Sequence, residues 1–314
     1  MYYTKAVESY IHTLISANKA ETTIQNCQRT LRFFGDFLAE NGVRQVQDIT
    51  PASLVAWKDA MSQKVAPSSL RLYVNHLHTF FEFCADIEFI TRSPFKKSLM
   101  AVTVKESDCK DTSRNILSEK EFRMVLTNQS PSFMHKKSYA RNRAILTLFI
   151  TSGMRCSSLC AITPDDLDWE QGTIRVCNAK GGKNGTVLFS DVAKSAIADY
   201  LHSGFRPASC TGSDTLFGFV DKSGSWLPFA RNAMSNLVEA AARGFSGHAG
   251  VRTHALRHTA ASLLRKRGFN DGEVSLFLMH SDGTGASVTN RYIARDYSAL
   301  FDKANRIFNR IAHA

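Results

Sequence analysis

Apolar side chains recur at helical intervals through the first hundred residues of the chain. Val7, Tyr10, Ile11, Leu14 and Ile15 form one stripe, and Leu31, Phe34, Phe37 and Leu38 form another. Thr50 followed by Pro51 predicts a third helix, with threonine as cap and proline at the first helical position, carrying Leu54, Trp57 and Met61. A fourth opens at Pro67, with Leu70, Tyr73, Leu77, Phe80, Phe81 and Cys84 along one side. The periodicity then fails. Val102 to Ser113 is dense in polar residues and lacks apolar spacing, which predicts a linker. Residues 1–101 read as an all-helical module, 102–113 as a connection, and 114–296 as a second domain.

Beyond the linker, Ser118-Glu-Lys-Glu121 has the pattern of a capping box ahead of a helix. Arg141 to Ser152 predicts another helix, with Ile145, Leu148 and Phe149 buried. Residues 173–177 and 186–189 read as two short strands joined by the turn-rich run Lys180-Gly-Gly-Lys-Asn-Gly185. The remainder is again mainly helical. Residues 297–314 end the chain on a strong stripe of Tyr297, Leu300, Phe301, Ala304, Ile307, Phe308 and Ile311, with Arg306 and Arg310 away from it. Such a face must be buried, against its own domain or against another subunit. The expected fold class is mainly α: a helical N-terminal domain, then an α+β domain with a small antiparallel sheet.

With 44% hydrophobic and 21% charged residues in 314, the chain can bury a sizeable core, which excludes wholesale disorder. Charge changes the picture further. Residues 1–112 carry 13 basic and 12 acidic side chains, whereas residues 113–314 carry 26 and 16, a net of +10 out of the chain's +11. A domain this basic favours a polyanion, and nucleic acid is the commonest one. No unbroken apolar run is long enough to span a bilayer, so no membrane partner is expected. The amino end lacks the layout of a secretory signal, and the seven cysteines form no Cys-x-x-Cys pair. Free thiols in a reducing cytoplasm are the expectation. Cys156 and Cys160, one helical turn apart, read as small core residues rather than metal ligands.

Five clusters in the second half hold polar residues that packing alone does not explain. Arg155 follows a glycine turn in Thr151-Ser-Gly-Met-Arg155; alone it would pass for a surface or ion-paired residue. Lys180 and Lys183 flank glycines that would let backbone and ammonium approach a phosphate, although a solvated hairpin is the ordinary reading. The order is not that of a Walker A loop. His254 and Arg257 lie three apart on one helix face, opposite a core stripe of Leu256, Ala260, Leu263 and Leu264. His258 beside them reads as a core histidine. His280 and Tyr292 would each be unremarkable in isolation.

Together the clusters have a chemical logic. Two guanidiniums can hold both non-bridging oxygens of a phosphodiester, where charge grows in the pentacoordinate transition state. A lysine can protonate a leaving 5′ oxygen, and histidines can exchange protons near neutral pH. A tyrosine hydroxyl can attack phosphorus and keep the ester bond energy. Clustered carboxylates are missing, so no metal is expected.

The order Arg155, Lys180, His254-x-x-Arg257-His258, Leu278-x-His280 and Thr289-x-x-Tyr292 resembles the tyrosine recombinase family of phage integrases, Xer-type recombinases and transposon integrases. The motifs span about residues 116–302, and the preceding helical module is similar in position and size to the family's SAM-like core-binding domain. The resemblance implies a site-specific DNA recombinase or integrase with Tyr292 as nucleophile and Arg155 and Arg257 on the scissile phosphate. It gives Lys180 the role of general acid, His254 that of proton transfer at the tyrosine, and His280 a hydrogen bond to the phosphate. Lys183, Arg252, His258 and Arg291 are expected to contact DNA. No cofactor is implied. The partners implied are a double-stranded DNA recombination site and, on synapsed DNA, a homotetramer passing through a Holliday junction; free in solution, the chain would be a monomer or weak oligomer. The terminal helix would then dock on a neighbouring subunit. A type IB topoisomerase and a non-catalytic DNA-binding protein of the same fold are the rivals. Three departures stand out: Ser158 where the family usually has an acidic residue, Met279 in place of a glycine, and a spacing of 12 from His280 to Tyr292.

Overall fold

The computed structural model describes residues 1–95, 116–127, 138–179, 183–246, 251–279 and 297–314. The expected linker at 102–113 lies outside them. The chain divides into two compact units, Met1–Asp111 and Thr112–Ala314.

In the first unit α1 (Tyr3–Ser16), α2 (Glu21–Glu40), α3 (Pro51–Ser62) and α4 (Pro67–Asp86) are the four helices that the spacing predicts. Thr50 and Ser53 cap α3 reciprocally, each side chain accepting from the other's backbone N–H, with Pro51 at the first helical position. The stripes meet in an aromatic core. Phe34 contacts Trp57 edge-on with ring centroids 5.4 Å apart, and Phe80 and Phe81 pack on each other at 5.1 Å. Tyr3 is buried among them, and its hydroxyl donates to the Leu31 carbonyl at 2.7 Å.

The second unit opens with α5 (Glu119–Thr127), capped as predicted: the Ser118 backbone N–H donates to Glu121 Oε2 at 2.7 Å. Then come α6 (Tyr139–Ser152), α7 (Cys156–Ala161), β1 (Leu167–Asp168), β2 (Thr173–Ala179), β3 (Lys183–Leu188) and α8 (Asp191–His202). The sheet is antiparallel in the order β1-β2-β3, with Ile174 opposite Val187 and both buried. Pairing steps from Val176 opposite Gly185 to Ala179 opposite Lys183, so β2 carries one extra residue, a bulge at the end of the hairpin. A second hairpin, β4 (Gly218–Val220) and β5 (Trp226–Pro228), has no sequence-based counterpart, because three residues cannot display a period of two. It is followed by α9 (Arg231–Ser246), α10 (Thr253–Lys266), α11 (Asp271–Phe277) and α12 (Tyr297–His313). α6 lies at the centre, buried continuously from Ala144 to Ser152. Among the described residues no helix is long and apolar enough to cross a membrane.

The apolar face of α12 is spent within the chain. Leu300, Phe301, Ala304, Phe308 and Ile311 are buried in the core of the second unit. Phe308 stacks on Phe122 of α5 at 5.8 Å and leans on Phe277 of α11 at 6.3 Å. Asp191, at the start of α8, ties the polar side down, accepting from Asn305 at 2.7 Å and Asn309 at 2.8 Å. The resemblance assigns this face to a neighbouring subunit; here its own domain covers it. The spacing requires a cover and is silent on which one. Phe308→Ala should therefore destabilise the second unit by about 3–5 kcal/mol in a denaturant titration of the full chain. A change below about 1 kcal/mol would mean that α12 contributes little to its own domain.

Candidate active site

The site is assembled where three chain segments end against one another. α6 terminates at Gly153, which takes a left-handed conformation with φ +59. A side chain there would also collide with Leu278 Cδ2 at 2.7 Å and Phe277 Cε1 at 3.0 Å, so only glycine lets α6 end this close to α11. Met154 is buried, and Arg155 follows in extended conformation as the residue that starts α7. The end of α6 is stiffened by buried hydroxyls. Thr151 donates to the Thr147 carbonyl at 2.8 Å, and Ser190, the cap of α8, donates to Thr151 at 2.9 Å.

Arg257 comes from the first turns of α10 and is only 5% exposed. The i, i+3 spacing places it with His254 away from the core stripe; instead its long side chain carries the guanidinium under the end of α6. There Nη1 donates to the Gly153 carbonyl and Nη2 to the Leu278 carbonyl. Burial lowers its pKa to about 10, with Arg155 adding positive charge nearby, so it stays protonated near neutrality. Half-buried Arg155 reaches the next carbonyl, its Nη2 donating to Met279 at 3.5 Å. The two guanidiniums thus sit on consecutive carbonyls at the exit of α11. Among the described residues neither is paired with a carboxylate; Ser158, buried where the family usually has an acid, supplies no charge.

His254 is exposed beside this pair. Its pKa is lowered by partial desolvation first, then by His258, Arg257 and Arg155, so the imidazole is neutral near physiological pH. His258 is exposed too, which corrects its reading as a core histidine: it falls on the outer side of α10. Arg252, directly ahead of α10, is exposed and 3.9 Å from Glu239. Cys156 and Cys160 pack against the core as expected, and they hydrogen-bond each other, which pulls the Cys156 thiol down. Lys180, His280, Arg291 and Tyr292 lie outside the described residues, and of Lys183 only the backbone, at the start of β3, is described. The structure thus brings together Arg155, His254 and Arg257. Sequence reasoning missed their seats, the carbonyls of Gly153, Leu278 and Met279, because every residue has a carbonyl and only the fold selects which ones converge. Among the described residues no cluster of three metal-ligating side chains occurs.

Comparison with known proteins places this geometry in context. The family model described as "Phage integrase family" matches residues 116–299, and that of the "Phage integrase, N-terminal SAM-like domain" matches residues 7–87. Tyrosine recombinase XerC of Bacillus pumilus is 25% identical over 275 residues, covering 87% of each chain. Among solved structures, the Tn1549 transposon integrase in complex with circular intermediate DNA superposes with a TM-score of 0.67 at 19% identity, covering 96% of this chain and 99% of that one. A lambda integrase tetramer bound to a Holliday junction gives 0.63 at 18%, covering 92% and 80%.

The electrostatics make a direct prediction. The His254 ring should titrate, by NMR, with a midpoint below the ordinary histidine value of about 6.5. Arg155→Ala removes a positive neighbour that opposes the imidazolium, so the midpoint should move upward in that variant. A midpoint at the ordinary value, or one that Arg155→Ala leaves in place, would contradict the cluster.

Proposed function

The chain belongs to the phage integrase family of tyrosine recombinases, and from that premise we propose that it cuts and rejoins double-stranded DNA at a specific site through a 3′-phosphotyrosyl intermediate. The observation that carries this reading is the seating of Arg257 and Arg155 on the consecutive carbonyls of Leu278 and Met279, with neutral His254 beside them. Both guanidiniums keep N–H donors for an anion, and among the described residues no carboxylate takes them up. A phosphodiester between them would be held by its non-bridging oxygens, and the hold would strengthen as phosphorus becomes pentacoordinate.

In this mechanism the Tyr292 hydroxyl attacks phosphorus, forming the tyrosyl ester and breaking the bond to the 5′ oxygen. His254 assists removal of the tyrosine proton, for which an imidazole that stays neutral is suited. Lys180 delivers a proton to the departing 5′ oxygen, and His280 adds a hydrogen bond to the phosphate. The free 5′ hydroxyl of a partner strand then reverses the chemistry and rejoins the DNA; no cofactor is consumed, because the ester energy is retained. Two such rounds pass through a Holliday junction. Four copies on two synapsed sites are the working assembly, by likeness to the lambda integrase tetramer. The net +10 of residues 113–314 supplies the attraction to the duplex, with Lys183, Arg252, His258 and Arg291 as further DNA contacts.

Tyr292→Phe should bind DNA normally yet leave no covalent protein–DNA adduct on a nicked suicide substrate. Adducts that persist would move the nucleophile elsewhere, with Tyr297 next in line. Absence of adducts from the unaltered chain would favour a non-catalytic DNA-binding protein. Lys180→Ala should cleave ordinary DNA poorly but recover on DNA with sulfur at the scissile 5′ bridging position, since a thiolate leaves without a proton. Without that recovery, the proton comes from Lys183 or His254.

A further inference from the structure

Met279 holds a backbone conformation that side chains avoid. Its φ is +50, in the left-handed region where a Cβ crowds the adjacent carbonyl. Such strain persists only where the surroundings fix it, and it points to a task. Two sets of contacts do the fixing. On the backbone side, the turn at Met279 follows directly on Leu278, the residue that ends α11, and these two successive carbonyls seat Arg257 and Arg155. On the side-chain side, the thioether reaches across to β3. A Cβ built on Gly185 would lie 2.2 Å from Met279 Cε, so the methyl rests directly on the glycine backbone. Gly185 pairs with Val176 on the last rung before the bulge. One residue therefore joins the β2–β3 hairpin to the seats of both arginines.

We propose that Met279 is a positioning residue for the arginine pair: its thioether pins the exit of α11 to Gly185, which keeps the Leu278 and Met279 carbonyls under the two guanidiniums. The proposal rests on the reading of Arg155 and Arg257 as the groups that hold the scissile phosphate. It accounts for Ser158, since the charge usually found there is replaced by backbone carbonyls whose orientation must be fixed from elsewhere. It also accounts for a glycine in the middle of a strand, where the backbone must be approached closely. A methionine suits the contact because its unbranched chain fills an irregular gap.

The test measures cleavage of a nicked suicide substrate by the full chain. Gly185→Ala puts a methyl where Met279 Cε rests, and should slow cleavage by about tenfold through misplaced arginines. Met279→Gly keeps the left-handed turn but loses the pin, and should cost about threefold. The double variant removes the obstruction and should return to the rate of Met279→Gly alone, a rescue that general damage to the sheet would not allow. A second substrate carries a methylphosphonate at the scissile position. It lacks one charged oxygen and asks less of the arginines, so the defects of both single variants should shrink on it to about twofold or less. Cleavage by Gly185→Ala within about twofold of the unaltered chain would overturn the proposal, as would a defect equally large on both substrates. If Gly185→Ala does not fold, Met279→Gly on the two substrates decides alone. Arg155→Ala separates the layers: if it cleaves normally, the assignment of the arginines falls, whereas if it is crippled and the Met279 and Gly185 variants are not, only the pin falls.

Discussion

A guanidinium placed inside an apolar core has to find hydrogen-bond acceptors there, because losing water without replacement is far too costly for a charge. Arg257 meets that demand with the carbonyls of Gly153 and Leu278, and much of the second unit follows from it. α6 must end under α10, which requires the left-handed glycine. α11 must end beside it, which brings Phe277 and Leu278 over that glycine with no room for a side chain. The loose ends of two helices, which in other settings face water, become the floor of the site.

The floor is held by layers of ordinary packing. α12 closes the core from the far side of α11 through Phe308, Phe277 and Phe122. α8 is joined to the end of α6 through Ser190 and Thr151, and to α12 through Asp191. The residue that starts α7, Arg155, inherits its position from both directions: from Gly153 two residues before it, and from the Met279 carbonyl across the site. The site is therefore built from element ends rather than from element faces.

Most of the scaffold was legible in the residues. The caps at Thr50 and Ser118 work through local hydrogen bonds, and local signals of that kind survive any tertiary context. The stripes of α1 to α4, α10 and α12 were legible because burying one face is what makes those helices stable. The order of the candidate residues pointed to the chemistry. What stayed hidden were the relations that only folding creates. Periodicity placed Arg257 on the side opposite Leu256 and Leu263, yet a side chain of that length can turn back under a neighbouring helix. It showed that Phe301 and Phe308 need a cover without saying that α5, α8 and α11 provide it. Met279 and Gly185 are 94 positions apart; Met279 stood out as a departure, yet nothing tied it to Gly185 until the left-handed turn and the close approach appeared together.

The missing carboxylate has a thermodynamic meaning. Two positive groups are gathered at one place, where burial and the nearby Arg155 make Arg257 harder to keep charged, and among the described residues the chain offers them dipoles rather than a counterion. Dipoles satisfy hydrogen-bonding geometry but leave the net charge standing. The domain is thus electrostatically frustrated at its centre. An anion relieves that frustration when it arrives, so occupancy and stability are linked: a polyanion bound at the site raises the domain's resistance to unfolding with the logarithm of its concentration relative to its dissociation constant.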